Sequence, residues 1–257
     1  MAIGTVLMVD GGHLNAVRRQ FANDHADIFT YTDAEGNRRL RGIDMGAFRD
    51  WCLSGGNDAR LVEPPIFYDG RPSFSAPLPD EPGWIWAQRA WTDQERADRE
   101  RESLQLQERN RFHHAIAHRH GYQVRLGRVV RRPVQGAAEG TFFPPSQKEV
   151  DTQIAVDMVD LVWRHPDVKQ IILVSADSDL RRPVLYVRHP ELLAGPGPEP
   201  PMQRRRSGVT SPQPRRVILV HGPEPHYGSY QGIITACDQA ICMDVRVIQG
   251  LLQRGKK

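Results

Sequence analysis

The sequence predicts an α/β fold in which a mostly parallel central sheet is sandwiched by helices, and three observations support this. Short β-rich apolar runs at 5–9, 170–174 and 217–220 alternate along the chain with segments of helical spacing, as expected of an α/β sandwich. The runs are apolar throughout, which is typical of parallel strands that are buried on both faces. The first two end at small polar turns, the usual transition from a buried strand to a loop.

Turn and capping residues set the bounds of the elements. Pro64 and Pro65 are expected to make the middle of the second strand irregular, because proline has no N–H to donate to a sheet. Thr92 is a suitable N-cap for the longest helix, and Gly121 a suitable stop. In chain order, the predicted elements are a strand at 5–9, a helix at 43–53, a strand at 59–68, a helix at 92–120, a strand at 122–130, a helix at 150–163, strands at 170–174 and 217–220, and a helix at 233–241.

Length and composition indicate one domain. A chain of 257 residues that is 39% hydrophobic can bury one sizeable core, whereas two domains would both be small. Tracts rich in Pro and Gly near 70–86 and 191–214 are expected to be flexible insertions into that domain. No run approaches the roughly 20 apolar residues of a membrane span, so we expect a soluble, cytoplasmic protein. Its three cysteines lack C-x-x-C spacing and suggest neither a disulfide framework nor a thiolate zinc site.

Acidic residues follow two of the predicted strands. Asp10 comes after the first strand, and Asp177 and Asp179 come after the strand at 170–174. Asp151 lies at the start of the helix between them, with Asp157 further along. Ligands of open α/β sheets bind outside the carboxyl ends of the strands, and carboxylates gathered there repel one another unless a cation lies among them. Carboxylate oxygens suit Mg²⁺ or Mn²⁺.

Each of these acids also has an ordinary structural interpretation. An aspartate after a strand is common turn chemistry, which applies to Asp10, and Asp151 is well placed to cap a helix. The pair Asp177 and Asp179 is less easily explained in this way, because a turn needs only one acid. The combination of all four favours a metal site over four separate turns and caps.

Three blocks of sequence carry a family resemblance. They resemble, in order and spacing, the signature blocks of the NYN domain, a PIN-like nuclease family whose bacterial branch is called LabA-like. The blocks are Val6-Leu7-Met8-Val9-Asp10-Gly11-Gly12, Lys148-Glu149-Val150-Asp151 with Asp157 six residues on, and Leu173-Val174-Ser175-Ala176-Asp177-Ser178-Asp179-Leu180. Weaker matches are Phe67-Tyr68-Asp69 and Ala236-Cys237-Asp238.

The resemblance implies a Rossmann-like PIN fold and a ribonuclease that depends on Mg²⁺ or Mn²⁺. By position, it makes Asp10, Asp151, Asp177 and Asp179 the catalytic, metal-binding acids, with Asp157 as a less certain fifth ligand. Two departures stand out. His13 replaces the Asn common in the family, and Ala176 replaces the Gly of Ser-Gly-Asp.

Three functions are compatible with this set of residues to different degrees. The complete set of acids favours an endoribonuclease. The replacement of Asn by His13 favours the alternative, a weak or inactive module that binds RNA or a protein partner and regulates it. A phosphotransferase or phosphatase with Asp10 as nucleophile is disfavoured, because the D-x-D-x-T pattern of such enzymes is absent around Asp10.

A basic segment suggests RNA, single-stranded or structured, as the partner. Residues 109–132 hold seven arginines, four histidines and no acid, and such clusters often face phosphates. The alternative is a merely solvated helix face. The sequence leaves the formation of homo-oligomers open. The residues expected to contact substrate are His13, Lys148, Ser175, Arg125, Arg128, Arg131 and Arg132.

Overall fold

The protein is built around a mostly parallel sheet, in the strand order β10-β9-β8-β1-β5-β6-β7, with β4 also paired to β1. The structure is a computed structural model that describes residues 2–56, 58–71, 93–130, 146–193, 214–223 and 231–252. Only β7 runs antiparallel to its neighbour in this sheet, and β2 and β3 form a separate hairpin. The strands are β1 (Ile3–Asp10), β2 (Thr30–Thr32), β3 (Arg38–Leu40), β4 (Ala59–Leu61), β5 (Ile66–Gly70), β6 (Gln123–Val130), β7 (Ser146–Lys148), β8 (Gln170–Val174), β9 (Arg216–His221) and β10 (Gln239–Cys242).

Helices cover both faces of the sheet. Leu7 and Val9 of β1 point into one apolar cluster, with residues of α1, α3, α4 and α8, while Val6 and Met8 point into the other, with α5, α6 and α7. This alternation is the period of two expected of a strand that is buried on both sides. The helices are α1 (Gly11–Asp24), α2 (Ala26–Phe29), α3 (Met45–Ser54), α4 (Asp93–His120), α5 (Val150–Arg164), α6 (Arg181–Arg188), α7 (Gln231–Ala236) and α8 (Val245–Leu251).

The predicted fold class is confirmed, and most predicted elements are present. The buried strand at 170–174 is found as predicted, and Pro64 and Pro65 separate β4 from β5. Gly121 ends α4 with a φ of +70°, a value that glycine adopts without steric cost. Thr92, the tract at 133–145 and most of the two predicted insertions lie outside the described residues. None of the helices in the described part of the chain has an apolar stretch long enough to cross a bilayer.

The helix predicted over 233–241 is wrong. Helix α7 ends at Ala236, and Gln239–Cys242 forms the edge strand β10, parallel to β9. Asp238 causes the break, because its carboxylate accepts a hydrogen bond from the backbone N–H of Val217 at 2.8 Å and pairs with Arg188. These contacts hold the chain at the edge of the sheet. Helices α1 and α6 and the hairpin of β2 and β3 were not predicted from the sequence.

Candidate active site

Neighbouring parallel strands bring the first and third acidic blocks together. Val9 of β1 lies beside Val174 of β8 in the sheet, so Asp10 and Ser175 come at the same carboxyl edge. The Ser175 hydroxyl donates to Oδ2 of Asp10 at 3.1 Å and accepts from the backbone N–H of Asp177 at 3.2 Å. A serine side chain therefore joins the end of β1 to the loop after β8.

Asp10 is a buried carboxylate with a raised pKa. It is 9% exposed, and its Oδ1 caps α1 by accepting from the backbone N–H of His13 at 3.1 Å. The pKa of Asp10 is raised from 3.8 to about 6, first by burial and then by the negative charge of Asp151, against the lowering effect of the hydrogen bonds from His13 and Ser175. A carboxylate in this state would be stabilised by a cation.

The second block lies on the adjoining helix. Asp151 is exposed in the first turn of α5, and its effect on the pKa of Asp10 places the two carboxylates within electrostatic range. Glu149 precedes the helix with a φ of +75°, an uncommon conformation for a residue other than glycine. The backbone of Lys148 pairs with Arg128 in the β6–β7 ladder, which puts Lys148 two residues before α5.

The third block forms a short 3₁₀ turn over Ser178–Leu180. Oδ1 of Asp177 caps it by accepting from the backbone N–H of Asp179 at 2.8 Å, and Asp179 is exposed. This cap leaves Oδ2 of Asp177 without a hydrogen bond to any described residue. We call the four residues Asp10, Asp151, Asp177 and Asp179 the acidic edge.

Asp157 has protein partners of its own. It forms an ion pair with Arg125 of β6, and its Oδ2 accepts from the Tyr68 hydroxyl at 2.6 Å. Because these contacts neutralise the carboxylate and occupy both of its oxygens, Asp157 needs no cation in this arrangement. Its role as a fifth metal ligand stays a prediction.

His13 lies in the first turn of α1 and contacts the chain just after β9. Burial, helped by the neighbouring His221, lowers the pKa of His13 to about 4, so the imidazole is neutral at physiological pH. Its Nε2 accepts from the backbone N–H of Gly222 at 3.4 Å. His13 therefore has a structural contact here, and its predicted role in substrate binding is untested.

The basic segment is less positive in the structure than in the sequence. Arg125 pairs with Asp157, and Arg128 pairs with Glu149 at 3.2 Å. Arg131 and Arg132 lie outside the described residues. Two of the four predicted phosphate contacts are thus already compensated by acids that are distant in sequence, which the local pattern could not reveal.

A buried polar cluster at the end of β5 was not predicted. Asp69, 1% exposed, pairs with Arg109 and, at 2.9 Å, with His113 of α4. Burial alone would raise the pKa of Asp69, but the hydrogen bonds from His113 and Arg109 hold it below the ordinary value. The weak Phe67-Tyr68-Asp69 match was the only sequence signal, and the cluster anchors α4 to the sheet.

The donor atoms of the acidic edge are of the chemical type that binds a divalent cation. They are carboxylate oxygens, the ligands that Mg²⁺ and Mn²⁺ prefer, and Asp10 is a buried acid repelled by a second acid. Over the described ranges, no three His, Cys, Asp or Glu side chains are already gathered closely enough to hold an ion. Asp151, Asp177 and Asp179 would have to turn towards Asp10 for ligation.

A parallel α/β sheet with acids at its carboxyl edge is the arrangement of PIN-like nuclease domains. The model of the NYN domain, a family of the PIN-like nuclease superfamily, matches residues 85–198. This match confirms the resemblance to the NYN domain over that part of the chain. Asp151, Asp177 and Asp179 fall inside the matched range, and Asp10 is brought to it by β1.

A search of curated proteins finds no match. Among solved structures, the chain aligns with a crystal structure of a protein of unknown function from Vibrio parahaemolyticus, with a TM-score of 0.44 and 16% sequence identity over 95% of this chain and 94% of that one.

Proposed function

We propose that the protein is an endoribonuclease that depends on Mg²⁺ or Mn²⁺ and hydrolyses RNA phosphodiester bonds at the acidic edge. The observation that supports it most is the junction at Ser175, which links Asp10 to the loop of Asp177 while Asp151 lies within electrostatic range of Asp10. Asp10, Asp151, Asp177 and Asp179 would hold the cation. When bound, such a cation neutralises charge on a phosphodiester and acidifies water.

The residues around the acidic edge have separate roles in this proposal. Ser175 fixes the rotamer of Asp10 by donating to Oδ2. Asp157 holds Arg125 at the same edge of the sheet, where the guanidinium is available to a substrate phosphate that competes with the carboxylate. His13, Lys148, Arg128, Arg131 and Arg132 remain proposed contacts to the RNA backbone.

The decisive experiment is an RNA cleavage assay on Asp177→Asn. We expect the rate to fall at least about 100-fold, as when a preorganised electrostatic group is removed from an active site, with the fold intact by circular dichroism. Asp167→Asn is the matched control, since Asp167 is exposed and lies before β8, at the opposite edge of the sheet. This control should cut as fast as the parent.

The products distinguish the mechanism. Attack by water does not need the ribose 2′-hydroxyl, so the ends should be 5′-phosphate and 3′-hydroxyl, and EDTA should stop the reaction until Mn²⁺ or Mg²⁺ is restored. A histidine acting as general base on the 2′-hydroxyl would leave 2′,3′-cyclic phosphate and work in EDTA. Cyclic ends, or an Asp177→Asn protein that is fully active, would rule out the acidic edge as the site.

A regulatory module that binds without cutting is the second candidate. The contact of His13 with Gly222 favours it, because His13 replaces the usual Asn and its Nε2 is occupied by the protein. Tight RNA binding with no cleavage in Mg²⁺ or Mn²⁺ would decide for this alternative.

A further inference from the structure

A narrow crevice runs along α1 next to the acidic edge. Gly11, Asn15 and Arg18 of α1 line it, together with Phe67 of β5 and Phe112 of α4. The three α1 residues are spaced four and three apart, so they share one face of the helix. Since Gly11 directly follows Asp10, the crevice begins where the acidic edge ends.

Arg18 is a partly buried cation without a counter-ion in the described structure. Its Nε is inaccessible to solvent and has no hydrogen-bond partner among these residues. Burial, and then the positive charge of Arg19, lower the pKa of Arg18, with no acid acting in the other direction. By contrast, Arg109 and Arg125 each pair with a carboxylate. A desolvated charge without a partner costs stability, so Arg18 indicates an anion that none of the described residues supplies.

The position of Arg18 suits a substrate phosphate. Seven residues of α-helix separate it from Gly11, a rise of about 10 Å, and helical side chains lean back towards the N-terminus. The guanidinium thus lies within about 10 Å of the acidic edge, a distance that neighbouring phosphates of one strand can cover. The crevice holds about 20 Å³, room for roughly one oxygen atom, so a phosphate oxygen can enter while the strand passes over the rim.

We propose that Arg18, assisted by the side-chain amide of Asn15, binds a backbone phosphate of the RNA strand adjacent to the phosphate at the acidic edge. A guanidinium forms paired hydrogen bonds to phosphate oxygens, and the Asn15 amide can donate a further one. This subsite rests on the proposed ribonuclease function and adds to it the path of the strand, along α1 and past Phe112.

The test compares Arg18→Met with Arg19→Met, a matched control because Arg19 is the next residue on α1 and is exposed. Binding of a fluorescent single-stranded RNA is followed by anisotropy in EDTA, so that cleavage does not interfere. Arg18→Met should weaken binding about tenfold, the loss of roughly one charge-assisted contact, and should reduce the slope of log K against log salt by about 0.7. Arg19→Met should change affinity less than twofold.

Urea denaturation supplies a readout that a structural role would not give. If Arg18 awaits an anion, Arg18→Met should be at least as stable as the parent, because a partly buried charge has been replaced by an apolar side chain of similar length. Pyrophosphate should raise the Tm of the parent and of Arg19→Met but not of Arg18→Met. Equal RNA affinity and salt slope in the two variants, or a pyrophosphate effect that survives Arg18→Met, would overturn the subsite.

The outcome can be separated from that of the ribonuclease proposal. Suppose that the parent never cuts RNA, and that pyrophosphate stabilises the parent but not Arg18→Met. The anion subsite would then stand, and the ribonuclease proposal would be refuted. If Arg18→Met fails to fold, Arg18→Lys replaces it. The lysine keeps the charge but not the paired hydrogen bonds, so it should keep the salt slope while binding RNA more weakly than the parent. An Arg18→Lys protein with unchanged affinity would count against a guanidinium contact.

Discussion

Asp10→Asn should make the protein more stable while removing the proposed ribonuclease activity. The magnitude follows from the pKa of Asp10, which is about 6 in the folded chain instead of 3.8. At 1.36 kcal/mol per pKa unit, the ionised carboxylate costs about 3 kcal/mol. That pKa already includes the favourable hydrogen bonds from His13 and Ser175. Asn should retain both, since it is as good an N-cap as Asp and the Ser175 hydroxyl can rotate to match the amide.

The sign of the pH dependence follows from the raised pKa. Asp10 contributes stability that is fully present below pH 3.8, and this contribution is lost as the pH rises through about 6. The advantage of Asp10→Asn should therefore be small near pH 4, grow between about pH 4 and 7, and stay constant above that range. Urea denaturation in EDTA at a series of pH values measures it.

Asp44→Asn is the matched control for this experiment. Asp44 caps α3 through two backbone N–H groups, and the exchange of one good cap for another should change stability by at most a few tenths of a kcal/mol. Mn²⁺ should stabilise the parent and Asp44→Asn but not Asp10→Asn, because a ligand that binds only the folded state stabilises it. If Asp10→Asn were less stable than the parent at pH 8, the ionised carboxylate would not be destabilising. Asp10 would then be a structural hydrogen-bond acceptor.

Two further variants test how the site is built. Gly11→Ala should destabilise the fold by about 1–3 kcal/mol. The added Cβ would lie 2.5 Å from Cζ of the buried Phe67 and 2.9 Å from the carbonyl oxygen of Tyr68. Gly250→Ala is the control and should be neutral or stabilising, because its added Cβ would have nothing within 4 Å. Tyr68→Phe should lower the free energy of unfolding by about 1–3 kcal/mol, by removing a hydrogen bond to the charged Asp157, without abolishing cleavage. Cleavage lost in folded Tyr68→Phe would instead place Asp157 in the chemistry.

The sequence predicted the parts of the site that depend on strand ends. Uniformly apolar runs identify parallel strands, and the carboxyl ends of such strands meet at one edge, so the proximity of Asp10 to the loop of Asp177 followed without a structure. Helix α1 was missed although Leu14, Val17 and Phe21 have helical spacing, because the segment is polar overall. Leu14 and Val17 lie three residues apart, and Val17 and Phe21 lie four apart. This helical spacing of apolar residues is a better indicator of the helix than the polar composition of the segment.

The remaining features depend on contacts between distant residues. The partners of Arg125 and Arg128 are acids at 157 and 149, and no local pattern distinguishes a paired arginine from an unpaired one. The same holds for Arg18, which appears in the sequence as one of two adjacent arginines and is distinguished from Arg19 only by burial. Edge strand β10 was misassigned because Asp238 ends α7 through contacts with Val217 and Arg188.

The two uncompensated charges at this edge have opposite sign and belong to one helix. Asp10 caps α1 with a carboxylate that is destabilised by burial and by Asp151, and Arg18 lies two turns later with no acid acting on it among the described residues. Nearby charges such as Asp69 and Arg109 are paired with each other. A cation at Asp10 and a phosphate at Arg18 would each relieve one cost, and a single RNA strand that contacts both would couple them. Under the two proposals, metal and RNA should therefore bind with positive coupling, each raising the affinity for the other by the same factor.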